Sequence, residues 1–221
     1  MKKALYVCGA ILLTVAAVFG VRAFVLRQKA AAYRDRVVPL PANFASLERV
    51  APADVCYLFN PDDRRLMAGY SDLIAAAYVR EITGTSYENV ETGPDGALTG
   101  TPYTHYEVEI LYNIKGALVT EGAVPLLQYG GVTIDLARIE CISPLLEAGR
   151  CYALYLRAAE NGCLYVEQAH GIPGVWSREE YLAARAETGD AALLAEHVEA
   201  YRHEDLTYAP ATRGKSAYEA E

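Results

Sequence analysis

Residues 106–116 read YEVEILYNIKG, and this stretch carries the clearest periodicity of the 221-residue chain. Apolar or aromatic side chains stand at every second position, namely Tyr106, Val108, Ile110 and Tyr112. The alternate face is polar, with His105, Glu107 and Glu109. A period of two predicts a strand that buries one face against a core. Lys115-Gly116 ends the strand.

Shorter strands are predicted around this one, at 72–82, 124–129, 132–139, 151–157 and 163–167. Asn161-Gly162, between the last two, is the dipeptide that type I′ hairpins favour, so these two strands should pair and bury Leu154 and Leu156. A turn-rich polar stretch at 84–102 predicts a long loop. Five or six short strands fit a small closed barrel better than a sandwich, because closure removes exposed strand edges.

Helices are predicted before and after the strands. Asn60-Pro61-Asp62-Asp63 predicts the start of a short helix that ends near Gly69. Ser177 and Glu180 have the spacing of a capping box, and Gly189-Asp190 separates that helix from a second one. Residues 209–221 show no such pattern and are predicted to be disordered.

The N-terminus predicts a membrane anchor. Residues 4–21 read ALYVCGAILLTVAAVFGV without a charge, and the apolar stretch continues past Arg22 to Leu26. A helix of this length spans about 27 to 35 Å, which matches the hydrocarbon core of a bilayer. A cleaved signal peptide is the alternative, but its apolar core is usually shorter. We therefore expect residues 1–26 to form an uncleaved transmembrane helix.

The rest of the chain divides by composition. Residues 27–55 are a basic, proline-containing tether, residues 56–176 a β-barrel domain, and residues 177–208 a helical segment that precedes the tail. Residues 1–36 carry a net charge of +6 against −8 for the whole chain, which leaves −14 for residues 37–221. A domain this acidic repels phosphate backbones, so a nucleic-acid partner is not expected.

Three motifs resemble a known family. Ser71-Asp72-Leu73-Ile74 opens a strand, YEVEILYNIKG follows the predicted loop, and PLLEAG at 144–149 precedes the strand from Cys151. Together they resemble the small OB-like, netrin- or TIMP-like β-barrel domains of Gram-positive cell-surface proteins of unknown function. The resemblance covers about residues 65–176. The predicted fold class is therefore mainly β: a small closed OB-like β-barrel with flanking helices, preceded by one transmembrane helix.

The resemblance implies a single-pass membrane protein with most of the chain outside the cell. The count of basic residues after the anchor indicates the opposite, a cytoplasmic domain. We favour the outside, because long domains often translocate regardless of flanking charge. Inhibition of metalloproteases is not implied, since TIMPs chelate zinc through an N-terminal cysteine and Cys8 lies inside the predicted anchor.

Cys56, Cys141, Cys151 and Cys163 are candidates for disulfides, because an even number of cysteines in an exported domain permits two bonds in any of three pairings. Cys141 and Cys151 bracket a short excursion that a bond between them would close. Buried free thiols that pack as small apolar side chains are the alternative. The spacings match no zinc pattern, so no metal site is expected.

No nucleophile, phosphate-binding or dinucleotide motif occurs, so neither an enzyme nor a cofactor is expected. Non-catalytic binding of an envelope protein or wall glycan is the first hypothesis, and it predicts an exposed aromatic patch on the barrel. The alternatives are a structural accessory of a membrane complex, with an apolar stripe on the C-terminal helices, and an enzyme of unrecognised type. Four tyrosines at periodic strand positions are expected in the barrel core and not in such a patch, namely Tyr78, Tyr106, Tyr112 and Tyr152.

Overall fold

The computed structural model describes residues 33, 36–52, 58–93 and 95–220. The strands are β1 (Arg49–Val50), β2 (Leu73–Thr92), β3 (Leu98–Lys115), β4 (Val124–Tyr129), β5 (Gly131–Val132), β6 (Ile139–Glu140), β7 (Cys151–Ala158) and β8 (Leu164–Gly171). The helices are α1 (Arg64–Tyr70), α2 (Arg178–Thr188), α3 (Asp190–Leu193) and α4 (Ala195–Arg202), with 3₁₀ turns at Phe44–Ser46 and Leu206–Tyr208.

The predicted anchor at 1–26 lies outside the described residues. Within the part of the chain that the structure describes, no helix is both long enough and apolar enough to span a membrane.

Five strands close into a barrel in the order β2–β3–β4–β8–β7, and β7 pairs back with β2. Every pair is antiparallel except β4 with β8, which runs parallel over Leu126–Gln128 and Leu164–Val166. This arrangement is compatible with an OB-like fold, and it confirms the predicted mainly β, closed-barrel class. Strands β1, β6 and β5 form a small separate sheet.

The barrel core follows the predicted period of two. Tyr106, Val108 and Ile110 point inward from β3 and are buried. From β7, Leu154 and Leu156 meet them and are completely buried. The side chains between these positions point out of the barrel. Because each strand alternates in this way, the outer surface is built from the residues that the core does not use.

The predicted loop at 84–102 is wrong. β2 continues to Thr92 and β3 begins at Leu98, so most of this stretch is paired strand. Its threonines, Tyr87 and Val90 favour extended backbone, and they outweigh the polar composition. The turn is confined to a few residues, where the Gly93 N–H donates to the Ala97 carbonyl at 2.8 Å. The predicted strand at 132–139 is likewise a hairpin of the two short strands β5 and β6.

The predicted helices occur in the structure, although α1 begins only at Arg64, after the predicted start at Asn60-Pro61-Asp62-Asp63, and ends at Tyr70. The Asp63 carboxylate accepts from the Arg65 and Leu66 N–H groups and begins α1. Ser177 and Glu180 form the predicted capping box of α2, which ends at Gly189 in a left-handed conformation. Tyr181 and Leu194 then pack against the outside of the barrel, so the C-terminal helices cover one of its faces.

The structure orders most of the tail that was predicted to be disordered. The Val119 N–H donates to the Tyr218 carbonyl at 2.9 Å, and the Ala220 N–H donates to the Ala117 carbonyl at 2.7 Å. Asp72, which is buried, accepts from the Gly214 N–H at 3.2 Å. Two of these contacts join backbone groups and the third ends on a carboxylate, so none of them leaves a hydrophobic period in the sequence from which order could be predicted.

Candidate functional site

Three tyrosines from three neighbouring strands form an aromatic cluster on the outside of the barrel. Tyr103 on β3, Tyr129 on β4 and Tyr165 on β8 occupy outward positions between buried residues. The ring centroid of Tyr103 lies 5.7 Å from that of Tyr129 and 5.7 Å from that of Tyr165, with edge-to-face angles of 86° and 81°. All three side chains are only half-buried, so their rings remain accessible to a ligand.

A groove of about 430 Å³ contains this cluster. Its opposite wall comes from the segment before α1 and from the loop before β7, through Leu58, Phe59, Pro61, Ile142 and Ser143. Tyr70 of α1 adds a further ring, which packs edge-on against Phe59 at 5.4 Å. The groove is therefore mainly aromatic and apolar, with a few polar groups, as is usual for ligand sites.

Buried Gln128 fixes the loop that forms this wall. Its side-chain carbonyl accepts from the Tyr106 hydroxyl at 3.0 Å and from the Leu146 N–H at 3.1 Å. Its amide group donates to the Pro144 carbonyl at 3.0 Å. These bonds tie the loop to the barrel interior, so the wall is held in place without a ligand.

Carboxylates surround the tyrosines. Burial, with smaller contributions from the nearby Glu88 and Glu167, raises the pKa of Tyr103 to about 12. Burial also raises the pKa of Tyr129 and of Tyr165, with smaller contributions from Glu140 and Glu88 respectively. The three hydroxyls therefore stay protonated at neutral pH and can donate hydrogen bonds in a negative field.

Arg157 is the positive group next to Glu167. Its guanidinium lies 4.8 Å from the Tyr70 ring centroid, and its Nη1 donates to the Tyr70 hydroxyl at 2.8 Å. Crowding by protein atoms raises the pKa of Glu167, and Arg157 opposes this shift. The Glu167 side chain nevertheless remains exposed at the mouth of the groove. Arg157 therefore interacts with Tyr70, and the Glu167 carboxylate stays accessible to a ligand.

A second open cavity of about 770 Å³ continues from this groove along β8 to His170. Behind His170 lies His197 of α4, with ring centroids 5.5 Å apart. His197 Nδ1 is 3.0 Å from the hydroxyl of buried Tyr155. Burial lowers the pKa of His170, and it lowers that of His197 to about 4, so both rings are neutral at pH 7. This pair joins α4 to the barrel.

The structure places the predicted cysteines apart. Cys141, Cys151 and Cys163 are free thiols, and Cys56 lies outside the described residues. Cys151 packs beneath α2 and α3 with Tyr181 and Leu194, whereas Cys141 packs beside the small sheet. Burial raises the pKa of Cys151 to about 12. No bond therefore joins Cys141 to Cys151 in this structure, and Cys151 packs as a small apolar side chain.

Tyrosines that were expected in the core divide between two places. Tyr106 and Tyr152 are buried in the barrel, as predicted. Tyr78 and Tyr112 are half-buried on the outside, where they pack with the residues beneath α2 and α3. The three groove tyrosines were not singled out. Tyr103 falls between the mistaken loop at 84–102 and the periodic stretch from His105, and Tyr129 and Tyr165 could have been found from their outward positions on predicted strands.

The polar side chains on the outward face of β3 form contacts that stabilise the fold. Glu109 accepts a two-pronged interaction from Arg178 of α2, with a shortest distance of 2.7 Å. His105 Nε2 lies 2.7 Å from the Ser86 hydroxyl. Among the described residues, no three or more His, Cys, Asp or Glu side chains are grouped as a metal site requires. The groove with its aromatic cluster is therefore the candidate site in the described part of the chain.

Comparison with known proteins assigns the chain to no family. No protein-family model matches the chain, and no curated protein is similar to it in sequence. The resemblance to Gram-positive surface domains therefore has no support from these comparisons, and the closed five-stranded barrel stands on the structure alone.

Proposed function

We propose that this protein is a non-catalytic binding module, held at the cell membrane by its N-terminal segment, that binds an envelope protein or wall glycan outside the cell. The observation that carries the proposal is the groove with Tyr103, Tyr129 and Tyr165. An accessible aromatic cluster was the feature that a binding role predicted. Aromatic faces contribute contact energy to both sugars and polypeptides at little entropic cost.

The position of the groove supports the same proposal. It lies on the outer face of β3, β4 and β8. In OB-folds the corresponding kind of surface, on adjacent strands of the barrel and its loops, binds oligonucleotides and oligosaccharides. An oligonucleotide is disfavoured here by the net charge of −14 in residues 37–221. This support is an analogy of fold, and the side chains of the groove carry the proposal.

The C-terminal helices give less support to an accessory role. That role predicted an apolar stripe free to dock on a partner complex. In the structure Tyr181, Leu194 and Ala200 are buried, and the first two pack on the barrel of the same chain. These apolar side chains are therefore already used within the chain, which favours the groove as the binding surface.

The test uses full-length protein in detergent, with solubilised wall glycan and an envelope protein fraction as separate probes. We expect one of these probes to bind, and the double change Tyr103→Ala with Tyr165→Ala to weaken binding at least tenfold, which corresponds to about 1.4 kcal/mol. Trp176→Ala is the control, because Trp176 is 59% exposed and does not line the groove. Binding that is absent, or that the double change leaves intact, would contradict the proposal.

A further inference from the structure

One edge of β8 is open alongside the groove. β4 pairs with β8 only as far as Val166, and β8 then continues to Gly171. Over Gln168–Gly171 the described residues give β8 a strand partner on its β7 side alone. The Ala169 N–H donates to the side-chain oxygen of Gln168 at 3.2 Å. A side chain therefore satisfies a backbone donor that a neighbouring strand would satisfy inside a sheet.

The open edge faces space that can hold a chain. The groove and the 770 Å³ cavity share Phe59, Pro61 and Gln168 and meet along this edge. The stretch Glu167–Gly171 spans about 17 Å at the usual rise of a strand. An extended segment of four or five residues fits beside it, between β8 and the wall formed by Ile142 and Ser143.

Carboxylates predominate among the charges around this space. Glu167 and Asp62 line the two cavities, and Glu88 and Glu140 lie close enough to act on the groove tyrosines. Among the described residues none of these four carboxylates forms a salt bridge. Of the nearby cations, Arg157 stacks on Tyr70 and Arg64 pairs with Glu196 at 3.1 Å. Tyrosine faces attract cations, so the rings and carboxylates favour the same ligand charge.

We propose that the ligand is a basic polypeptide segment, bound in extended form by adding a strand to the open edge of β8 and placing lysine or arginine side chains among Tyr103, Tyr165 and Glu167. In this mode backbone hydrogen bonds hold the segment, and alternate side chains enter the groove. This inference rests on the proposed binding function and narrows the ligand from an envelope protein or glycan to a basic peptide.

Selection from a randomised octapeptide library on full-length immobilised protein tests the charge and the form of the ligand. We expect enriched peptides to carry lysine or arginine at alternate positions and to lack proline between them, since proline cannot donate to a strand. Glu167→Gln should weaken a selected peptide severalfold. Glu147→Gln is the matched control, because that carboxylate is exposed and does not line the groove.

Hydrogen exchange tests the position of the peptide. A bound strand should slow exchange at the Ala169 and Gly171 amides, and exchange in the covered strand β7 should stay unchanged. Enrichment of neutral or acidic peptides, or protection elsewhere, overturns the inference. If wall glycan binds through the tyrosines while no peptide is enriched, the inference fails and the proposed function stands. If neither probe binds, both fail.

Discussion

The barrel has one outer face that its C-terminal helices cover, and a second, open face that none of its described helices covers. On the covered face the outward residues of β2 and β7 include Ala76 and Ala153, whose small side chains let Tyr181 and Leu194 approach closely. On the open face the outward residues include Tyr103, Tyr129 and Tyr165. The small side chains of the covered face leave room for the helices, whereas half-exposed rings that no described element covers are suited to a ligand.

The two faces also differ in whether their carboxylates are paired with a cation. On the covered face Glu109 is matched by Arg178 of α2 at 2.7 Å. On the open face Glu88 and Glu167 form no salt bridge with any described residue. The covered face is thus a finished interface within the chain. The open face has the composition of one half of an interface, which is why stability and binding should respond to different substitutions.

Tyrosine-to-alanine changes on neighbouring strands test this comparison most directly. Tyr155→Ala, on β7 beneath α1 and α4, should cost about 3–5 kcal/mol, because it removes a fully buried ring from a closed site. Tyr165→Ala, on β8, should cost about 1 kcal/mol, since much of its ring already meets solvent. Urea unfolding of both variants measures the difference. Equal losses would remove the distinction between the faces.

Acid should loosen the covered face first. The folded-state pKa of His197 is about 4, below its unfolded value of 6.5, because burial disfavours the charged ring. The unfolded chain therefore takes up the proton first, and stability falls as pH drops from about 6.5 to about 4. The loss is about 3 kcal/mol when complete. The lowered pKa of His170 acts in the same direction.

Urea unfolding at pH 7.5 and pH 5 measures this dependence. His197→Gln keeps a polar partner for the Tyr155 hydroxyl and cannot titrate in this range, so it should flatten the profile. His203→Gln is the control, because the His203 side chain is 67% exposed. A profile that His197→Gln leaves unchanged would show that the histidine pair does not join α4 to the barrel.

The tail should detach when its acceptor is removed. Asp72 accepts from the Ala158 N–H at 3.0 Å and from the Gly214 N–H at 3.2 Å, so Asp72→Ala leaves two backbone donors without a side-chain partner. We expect a loss of about 1–3 kcal/mol. Limited proteolysis should also cut between Ala209 and Tyr218 earlier than in the wild type. The control Asp95→Ala alters an exposed turn and should leave the tail protected.

Much of the fold was predictable because the core repeats locally. The alternation from Tyr106 to Ile110 and the Asn161-Gly162 turn are each visible within a few residues of sequence. The extension of β2 to Thr92 was not visible, since its stability comes from pairing with β3 and its composition is polar. The tail was missed for a related reason: its partners, such as Gly162, are distant in the chain.

The groove was harder to predict than the barrel. Its tyrosines lie on three strands, and only the register of β3, β4 and β8 brings them together. Periodicity identifies an outward tyrosine, but it does not tell whether a helix will cover it. Tyr78 and Tyr112 were covered and Tyr103 was not. That outcome depends on where the C-terminal helices dock, a long-range property that no short motif carries.

The smallest expected effect distinguishes the faces most sharply. The folded-state pKa of Glu167 is raised by the protein atoms that crowd it, so its carboxylate is less stable in the folded chain than in the unfolded one. Any stability from this group is therefore present at low pH and is lost as pH rises through the folded pKa. At pH 7 the charge is a cost, although solvent access to the side chain keeps it small.

Glu167→Gln should accordingly be neutral or slightly stabilising at pH 7, by no more than about 0.5 kcal/mol, and the gain should vanish near pH 4. Glu109→Gln is the matched comparison on the covered face, where Arg178 lowers the pKa of the carboxyl and the same change should destabilise the fold. Thermal unfolding of both variants at the two pH values measures this contrast. A carboxylate that does not help folding but is needed for binding marks a ligand surface. If Glu167→Gln destabilised the protein as Glu109→Gln does, Glu167 would be a structural residue and the open face would lose its distinction.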